Sequence, residues 1–204
     1  MRVIPGLQQT APADVMRGEE TQIGGFLRLH PGWEGVLCLP GTHTKWALIR
    51  AGRVVSFQTF MTGDLFAAIA GHTVLRHSLS DAETQGGSAE PWEDAAFEAA
   101  LAEVVANPAQ LAALFFKLRA EGLVHSLAPA TARARLSGLL IGSEIVAAQP
   151  VWQGNTVGVI GAGSLSALYI KALAAQGKSA TQADATAVTI AGLTAARTTL
   201  KETA

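Results

Sequence analysis

The sequence predicts an α/β fold with a mixed sheet and several helices. Two observations carry this. Three strand patterns at 35–39, 45–50 and 53–59 follow one another closely enough to pair as hairpins. After a series of helical patterns, "VGVIGAGSLS" then reads as strand, glycine turn and helix start. Hairpin strands followed by helices and a strand–turn–helix unit make an α/β layout rather than an all-helical or all-strand one.

The elements follow in order. Residues 1–7 look like the end of a strand, which alone would be marginal and needs partners further on. Asp14 is placed to cap a helix over 15–29, with Glu19 and Glu20 early enough to suit its N-terminus, and Pro31-Gly32 ends it. Ala51-Gly52 joins the second and third strands as a two-residue turn. Residues 60–63 lead into a helix over 64–77, and the polar stretch 78–91, with Gly86-Gly87, reads as a loop. Helices follow at 92–106, at 108–122 and at 130–149. Asn107 and Pro108 start the second of these, and Gly122 ends it. A short buried strand at 157–160, a helix from Ser164 closed by Gly177, and a last helix at 185–202 complete the chain. No internal repeat or low-complexity linker interrupts it.

Composition narrows the function classes. The 204 residues are 49% hydrophobic and 15% charged, too apolar and too weakly charged for a disordered chain. A net charge of −1 without a basic block offers no footprint for nucleic acid. No apolar run reaches the ~20 residues that span a bilayer, and no secretory pattern opens the chain. A cytoplasmic protein without membrane partners is expected. The single cysteine, Cys38, lies in an apolar run and reads as core.

Three stretches hold candidate chemistry. "PGTHTK" places Gly41, Thr42, His43, Thr44 and Lys45 in a tight turn between two apolar strands. Converging amides, hydroxyls and one cation suit an anion such as phosphate, though on this stretch alone a polar surface turn is the favoured reading. It is not a Walker loop, since G-x-x-x-x-G-K-[ST] is missing. Gly161, Ala162, Gly163 and Ser164 nearly match a dinucleotide fingerprint, but Ser166 stands where the third glycine belongs. Too little chain follows for a Rossmann domain, so a nucleotide contact of another kind, or packing at a helix start, fits better. "MRGEETQ" sets Glu19 and Glu20 beside Arg17. Neighbours on a helix point about 100° apart, so only one of the two carboxylates can face a given point, and a solvated helix face is the favoured reading of this stretch alone. The five histidines show no metal-ligand spacing.

Together, "VIPGL…ADVMRGEETQIGGFL", "LPGTHTKWALIRAGRVVSFQTFMTGDLFAAIAGHTVL" and "LSGLLIGSEIVAA…VGVIGAGSLSALYIKAL" resemble the bacterial 2-dehydro-3-deoxygalactonokinases. The resemblance implies an actin-like ATPase lobe (ribonuclease H-like), part of a two-lobed kinase. It implies transfer of the γ-phosphoryl group of ATP to the C6 hydroxyl of 2-dehydro-3-deoxy-D-galactonate, with Mg²⁺ carried in on the nucleotide. Gly41, Thr42, His43, Thr44 and Lys45 would bind phosphate. Gly161, Ala162, Gly163 and Ser164 would bind the adenosine side. Glu19, or Glu20, would be the base, and Arg17, Thr62 and Gly63 would line the sugar acid. The family's Asp-x-Gly-Thr-Thr phosphate loop has no counterpart in the sequence, so the resemblance covers the C-terminal two-thirds of such a kinase. Residues 1–32 are then expected to be a remnant of the first lobe with an inter-lobe helix, and 33–204 the C-terminal lobe with a helical insertion at about 78–127. The missing loop also leads to two expectations: little turnover by this chain alone, and homo-oligomerisation through an open sheet edge. The alternative in another class is a nucleotide-binding remnant without catalysis; a dinucleotide-dependent oxidoreductase rests on Gly161 to Ser166 only.

Overall fold

A computed structural model describes residues 3–79, 92–161 and 163–202. The chain divides into two compact units, Met1–Phe60 with Gln149–Ala204, and Met61–Ala148.

The first unit is built on a five-stranded mixed sheet. Its strands are β3 (Gly35–Leu39), β4 (Thr44–Arg50), β5 (Arg53–Phe60), β6 (Val157–Ile160) and β7 (Ala180–Ala183), in the order β5-β4-β3-β6-β7. The β3–β4 and β4–β5 pairs are antiparallel, whereas β6 runs parallel to both β3 and β7. Ala51 (φ 48°) and Gly52 (φ 70°) both lie in the left-handed region, as the expected two-residue turn requires. All five residues of β3 are buried, which explains its unbroken apolar run: both faces of this central strand are covered. On one face Leu37 and Leu39 pack with Ile23 and Phe26 of α1 (Glu19–Leu29) and Val188 of α9 (Ala185–Glu202). Cys38 is fully buried on the other, as expected of a core residue.

Helices α1 and α9 cross at close range because two glycines allow it. A Cβ on Gly25 would lie 1.8 Å from the Val188 carbonyl oxygen, and one on Gly192 would lie 2.0 Å from that of Thr21.

The N-terminal region differs from the expected strand-then-helix. Residues 3–6 are irregular. β1 (Leu7–Thr10) pairs with β2 (Ala13–Met16) in a separate antiparallel ribbon, and α1 begins only at Glu19. Asp14 caps no helix. Its carboxylate accepts the Thr59 amide and hydroxyl, both at 2.7 Å, and so ties the ribbon to β5. Gln9 does the same at Phe57, accepting its amide at 3.1 Å and donating to its carbonyl at 3.3 Å. Gly18 at φ 109° makes the turn into α1 that a side-chain-bearing residue would resist. Beyond β6, α8 (Gly163–Ala175) crosses to β7, a strand the sequence pattern did not announce. The four-residue α7 (Gln149–Trp152) precedes β6.

The second unit is helical: α2 (Thr62–His72), α3 (Arg76–Leu79), α4 (Asp94–Ala106), a 3-10 turn at Pro108–Gln110, α5 (Leu111–Val124) and α6 (Pro129–Ala147). Leu136, Leu139 and Leu140 of α6 pack with Ala100 and Val104 of α4 and Leu118 of α5. The helix expected over 64–77 breaks at Thr73. Its hydroxyl donates to the Ile69 carbonyl and accepts the Leu75 amide, replacing bonds a continuous helix would make. Gly122 does not end α5; it lies inside the helix, where an added Cβ would meet the Ser78 hydroxyl at 3.0 Å. Ser78 and Leu79 belong to α3, and the rest of the expected loop, 80–91, lies outside the described residues. Lys117, Glu103, Glu121 and Arg135 form an ion-pair network joining α4, α5 and α6. No single described helix is long and apolar enough to cross a membrane.

Candidate active site

Parallel pairing of β3 with β6, in the register Cys38↔Val159, brings the carboxyl ends of the two strands together. The loops that leave them are the two glycine turns singled out from the sequence. A Cβ on Gly161 would lie 3.9 Å from Pro40. Ligands in open α/β sheets bind outside the carboxyl ends of the strands, and here both turns stand at that edge.

The strand period then divides the polar turn. Thr44 and Lys45 are successive residues of β4 and point to opposite faces. Thr44, fully buried, shares a 2.9 Å hydrogen bond with the hydroxyl of Tyr169 on α8, the only tyrosine in the chain. Lys45, 5% exposed, extends to the α1 side, where its ammonium group lies 3.2 Å from Glu19 Oε1 and donates to the His43 carbonyl at 3.2 Å. Gly41 is open, with nothing within 4 Å of an added Cβ, and Thr42 and His43 are exposed.

Across from the turn, the start of α1 distinguishes its two carboxylates. Both fold back over the preceding turn and suit the positive end of the helix. Glu20 accepts the Gly18 amide at 2.5 Å and the Thr21 hydroxyl at 3.2 Å. Glu19 accepts the Arg17 amide at 3.1 Å on Oε2 and the lysine on Oε1. Glu19 lines an adjoining cleft of about 480 Å³, together with Arg17, Gly18 and Gln22, residues 39–43, and Thr189 of α9. That volume is within the ~300–1,000 Å³ usual for small-molecule sites. Gln22 donates to Thr189 at 3.3 Å, closing the floor between α1 and α9. Sequence reasoning missed Thr189, which carried no signal, and Gln22, which lay in a noted motif without being assigned.

At the second turn, Gly161 donates its amide to the Ala183 carbonyl at 3.2 Å, extending the β6–β7 ladder. A Cβ there would lie 2.1 Å from the hydroxyl oxygen of Ser166, the residue standing in for a third fingerprint glycine. Packing against Ser166 accounts for this glycine. Gly163 (φ 70°) and Ser164 are exposed at the start of α8, and Ala162 lies outside the described residues. Thr62 and Gly63 form the first turn of α2 in the helical unit. Thr62 is 9% exposed and donates its hydroxyl to the buried Glu144 of α6. Among the described residues no group of three or more His, Cys, Asp or Glu side chains is placed to hold a metal ion.

The mixed sheet, with both turns at one strand edge and an acidic helix start beside them, has the actin-like kinase fold. Sequence comparison adds the lineage: the chain belongs to the 2-keto-3-deoxy-galactonokinase family, whose model matches residues 1–196. It is 43% identical over 200 residues to a "Probable 2-dehydro-3-deoxygalactonokinase" of Rhizobium meliloti (strain 1021), covering 96% of this chain and 63% of the relative. It is 35% identical over 180 residues to the 2-dehydro-3-deoxygalactonokinase of Escherichia coli (strain K12), covering 86% of this chain and 57% of that one. The crystal structure of a "putative 2-dehydro-3-deoxygalactonokinase protein from Sinorhizobium meliloti" superposes with a TM-score of 0.85 at 42% identity, over 96% of this chain and 64% of that one. The chain thus spans less than two-thirds of the length of these relatives.

Proposed function

We propose that this chain forms part of an ATP-dependent kinase that phosphorylates 2-dehydro-3-deoxy-D-galactonate at its C6 hydroxyl, in cytoplasmic galactonate catabolism. The observation that carries this reading is the Glu19–Lys45 ion pair at 3.2 Å, which joins the "MRGEETQ" and "PGTHTK" motifs at one small-molecule-sized cleft. The names of the family and of the relatives supply the substrate.

Phosphoryl transfer asks a protein mainly to position reactants and offset charge. Gly41, Thr42 and His43 present a turn to the phosphates, with Gly161, Ala162, Gly163 and Ser164 on the adenosine side. The C6 oxygen attacks the γ-phosphorus, the bond from that phosphorus to the β,γ-bridging oxygen breaks, and ADP leaves. Glu19 takes the hydroxyl proton, because of the two carboxylates it is the one that lines the cleft. Arg17 offers a cation to the substrate carboxylate, while Thr62 and Gly63 belong to the sugar side. Any Mg²⁺ would be carried in with the nucleotide and would offset phosphate charge.

A coupled ATP-turnover assay on the natural gene product tests this, comparing 2-dehydro-3-deoxy-D-galactonate with its C4 epimer and with no acceptor. Turnover with the galactonate derivative and a phosphate located on C6 by NMR is expected. Absence of acceptor-dependent turnover, or a phosphate on another hydroxyl, would refute it.

A further inference from the structure

The cation in "PGTHTK" invites assignment to phosphate, but its surroundings point elsewhere. Lys45 is 5% exposed, and among the described residues it is not part of the cleft lining, which at this turn stops at His43. Its ammonium group donates to the His43 carbonyl and pairs with Glu19 Oε1. The other oxygen of that carboxylate is occupied by the Arg17 amide. Glu19 is therefore gripped at both oxygens, by β4 from one side and by its own preceding turn from the other. A glutamate with 25% of its side chain exposed would otherwise sample several rotamers.

From this geometry we infer that Lys45 is a positioning residue acting through Glu19, not a phosphate ligand. It fixes the carboxylate at the cleft wall, and by bonding the His43 carbonyl it also holds the end of the polar turn in register with the start of α1. The inference rests on the reading of Glu19 as the base. A base delivers its advantage only when it is oriented within hydrogen-bond reach of the proton, so losing the grip lowers turnover rather than nucleotide affinity.

The test compares Lys45→Met, Lys45→Arg, Glu19→Gln and the double variant Lys45→Met/Glu19→Gln in the natural gene product. ATP affinity is measured by titration calorimetry and kcat at saturating substrates. For Lys45→Met, kcat should fall on the order of 10²-fold with ATP affinity within about threefold of the parent. The double variant should be no worse than about threefold below Glu19→Gln alone, because residues acting as a unit are not additive. Lys45→Arg, which keeps the charge and the donors, should recover about tenfold of the loss at unchanged ATP affinity. A tenfold or larger drop in ATP affinity for Lys45→Met, or losses in the double variant that simply multiply, would overturn the inference. If the gene product phosphorylates no sugar acid, the proposed function falls by itself. The pairing is then read from urea midpoints of the same four variants: a double variant less destabilised than the two singles added together supports the pairing, and strict additivity overturns it.

Discussion

Alanine at Gly25 and alanine at Gly24 should change stability in opposite directions, although the two positions are neighbours on α1. Either substitution raises helix propensity by about 1 kcal/mol. At Gly24 nothing lies within 4 Å of the new Cβ, so that gain is kept, and Gly24→Ala should stabilise by roughly 0.5–1 kcal/mol. At Gly25 the new carbon would stand 1.8 Å from the Val188 carbonyl oxygen and 2.6 Å from the Gly192 nitrogen. Both obstacles are main chain, so no rotamer change removes them. Clearing the nearer one even to 3.0 Å forces α1 and α9 apart by roughly 1.2 Å. A gap of ~0.5–1 Å already forfeits a quarter to a half of each dispersion contact, here among Ile23, Phe26 and Val188. Overpacking of this kind costs about 1–3 kcal/mol, and the rigid obstacle puts Gly25 at the upper end. The net expectation is destabilisation by about 1–2 kcal/mol. Equilibrium urea unfolding followed by tryptophan fluorescence reads both variants, with the midpoint moving down for Gly25→Ala, up for Gly24→Ala, and the slope unchanged. Equal shifts of the same sign would show that the helices do not cross as described.

Substitutions at two further positions probe hydrogen bonds that no sequence pattern indicated. Asp14→Ala removes both acceptors from Thr59 and should cost on the order of 1–3 kcal/mol locally, with faster hydrogen exchange at the Thr59 amide. An unchanged exchange rate there would show that Asp14 does not hold Thr59. Thr62→Val withdraws a donor from the buried Glu144 carboxylate and should lower stability by about 1–3 kcal/mol, whereas Thr62→Ser should stay within about 1 kcal/mol of the parent. Equal losses in the two would mean that the hydroxyl is not what matters.

The hairpin strands were legible because their signals are local: apolar runs of strand length, and a turn dipeptide whose second member is glycine. The start of α1 was not. Asp14 followed by two glutamates imitates a capped helix, but pairing with β1 makes residues 13–16 a strand, and the Asp14 carboxylate is taken up by Thr59, 45 positions along. β7 was invisible for a related reason. Its "ATQA" shows no apolar alternation, and parallel pairing with β6 supplies the order that its side chains do not. Gly122 misled because a helix stop and a packing glycine look alike until Ser78 is seen against it. At the site, the turns could be named from the chain, but their adjacency depends on β3–β6 pairing across more than a hundred residues. The partner of Lys45 lies on an element whose boundary was itself misplaced, so the pairing with Glu19 could not be anticipated.

Gln9 has a consequence for how this fold can change over generations. Its carboxamide accepts from and donates to the main chain of Phe57, as a peptide group on an adjacent strand would. Contacts between peptide groups are ordinarily indifferent to mutation, because every residue except proline brings the same donor and acceptor. At this edge of β5 that indifference is gone, since half of the contact is written in a single codon. Glutamate would keep the acceptor and lose the donor, and leucine would lose both, baring a strand edge to which another chain could add. A piece of backbone complementarity has become heritable and mutable like any side chain.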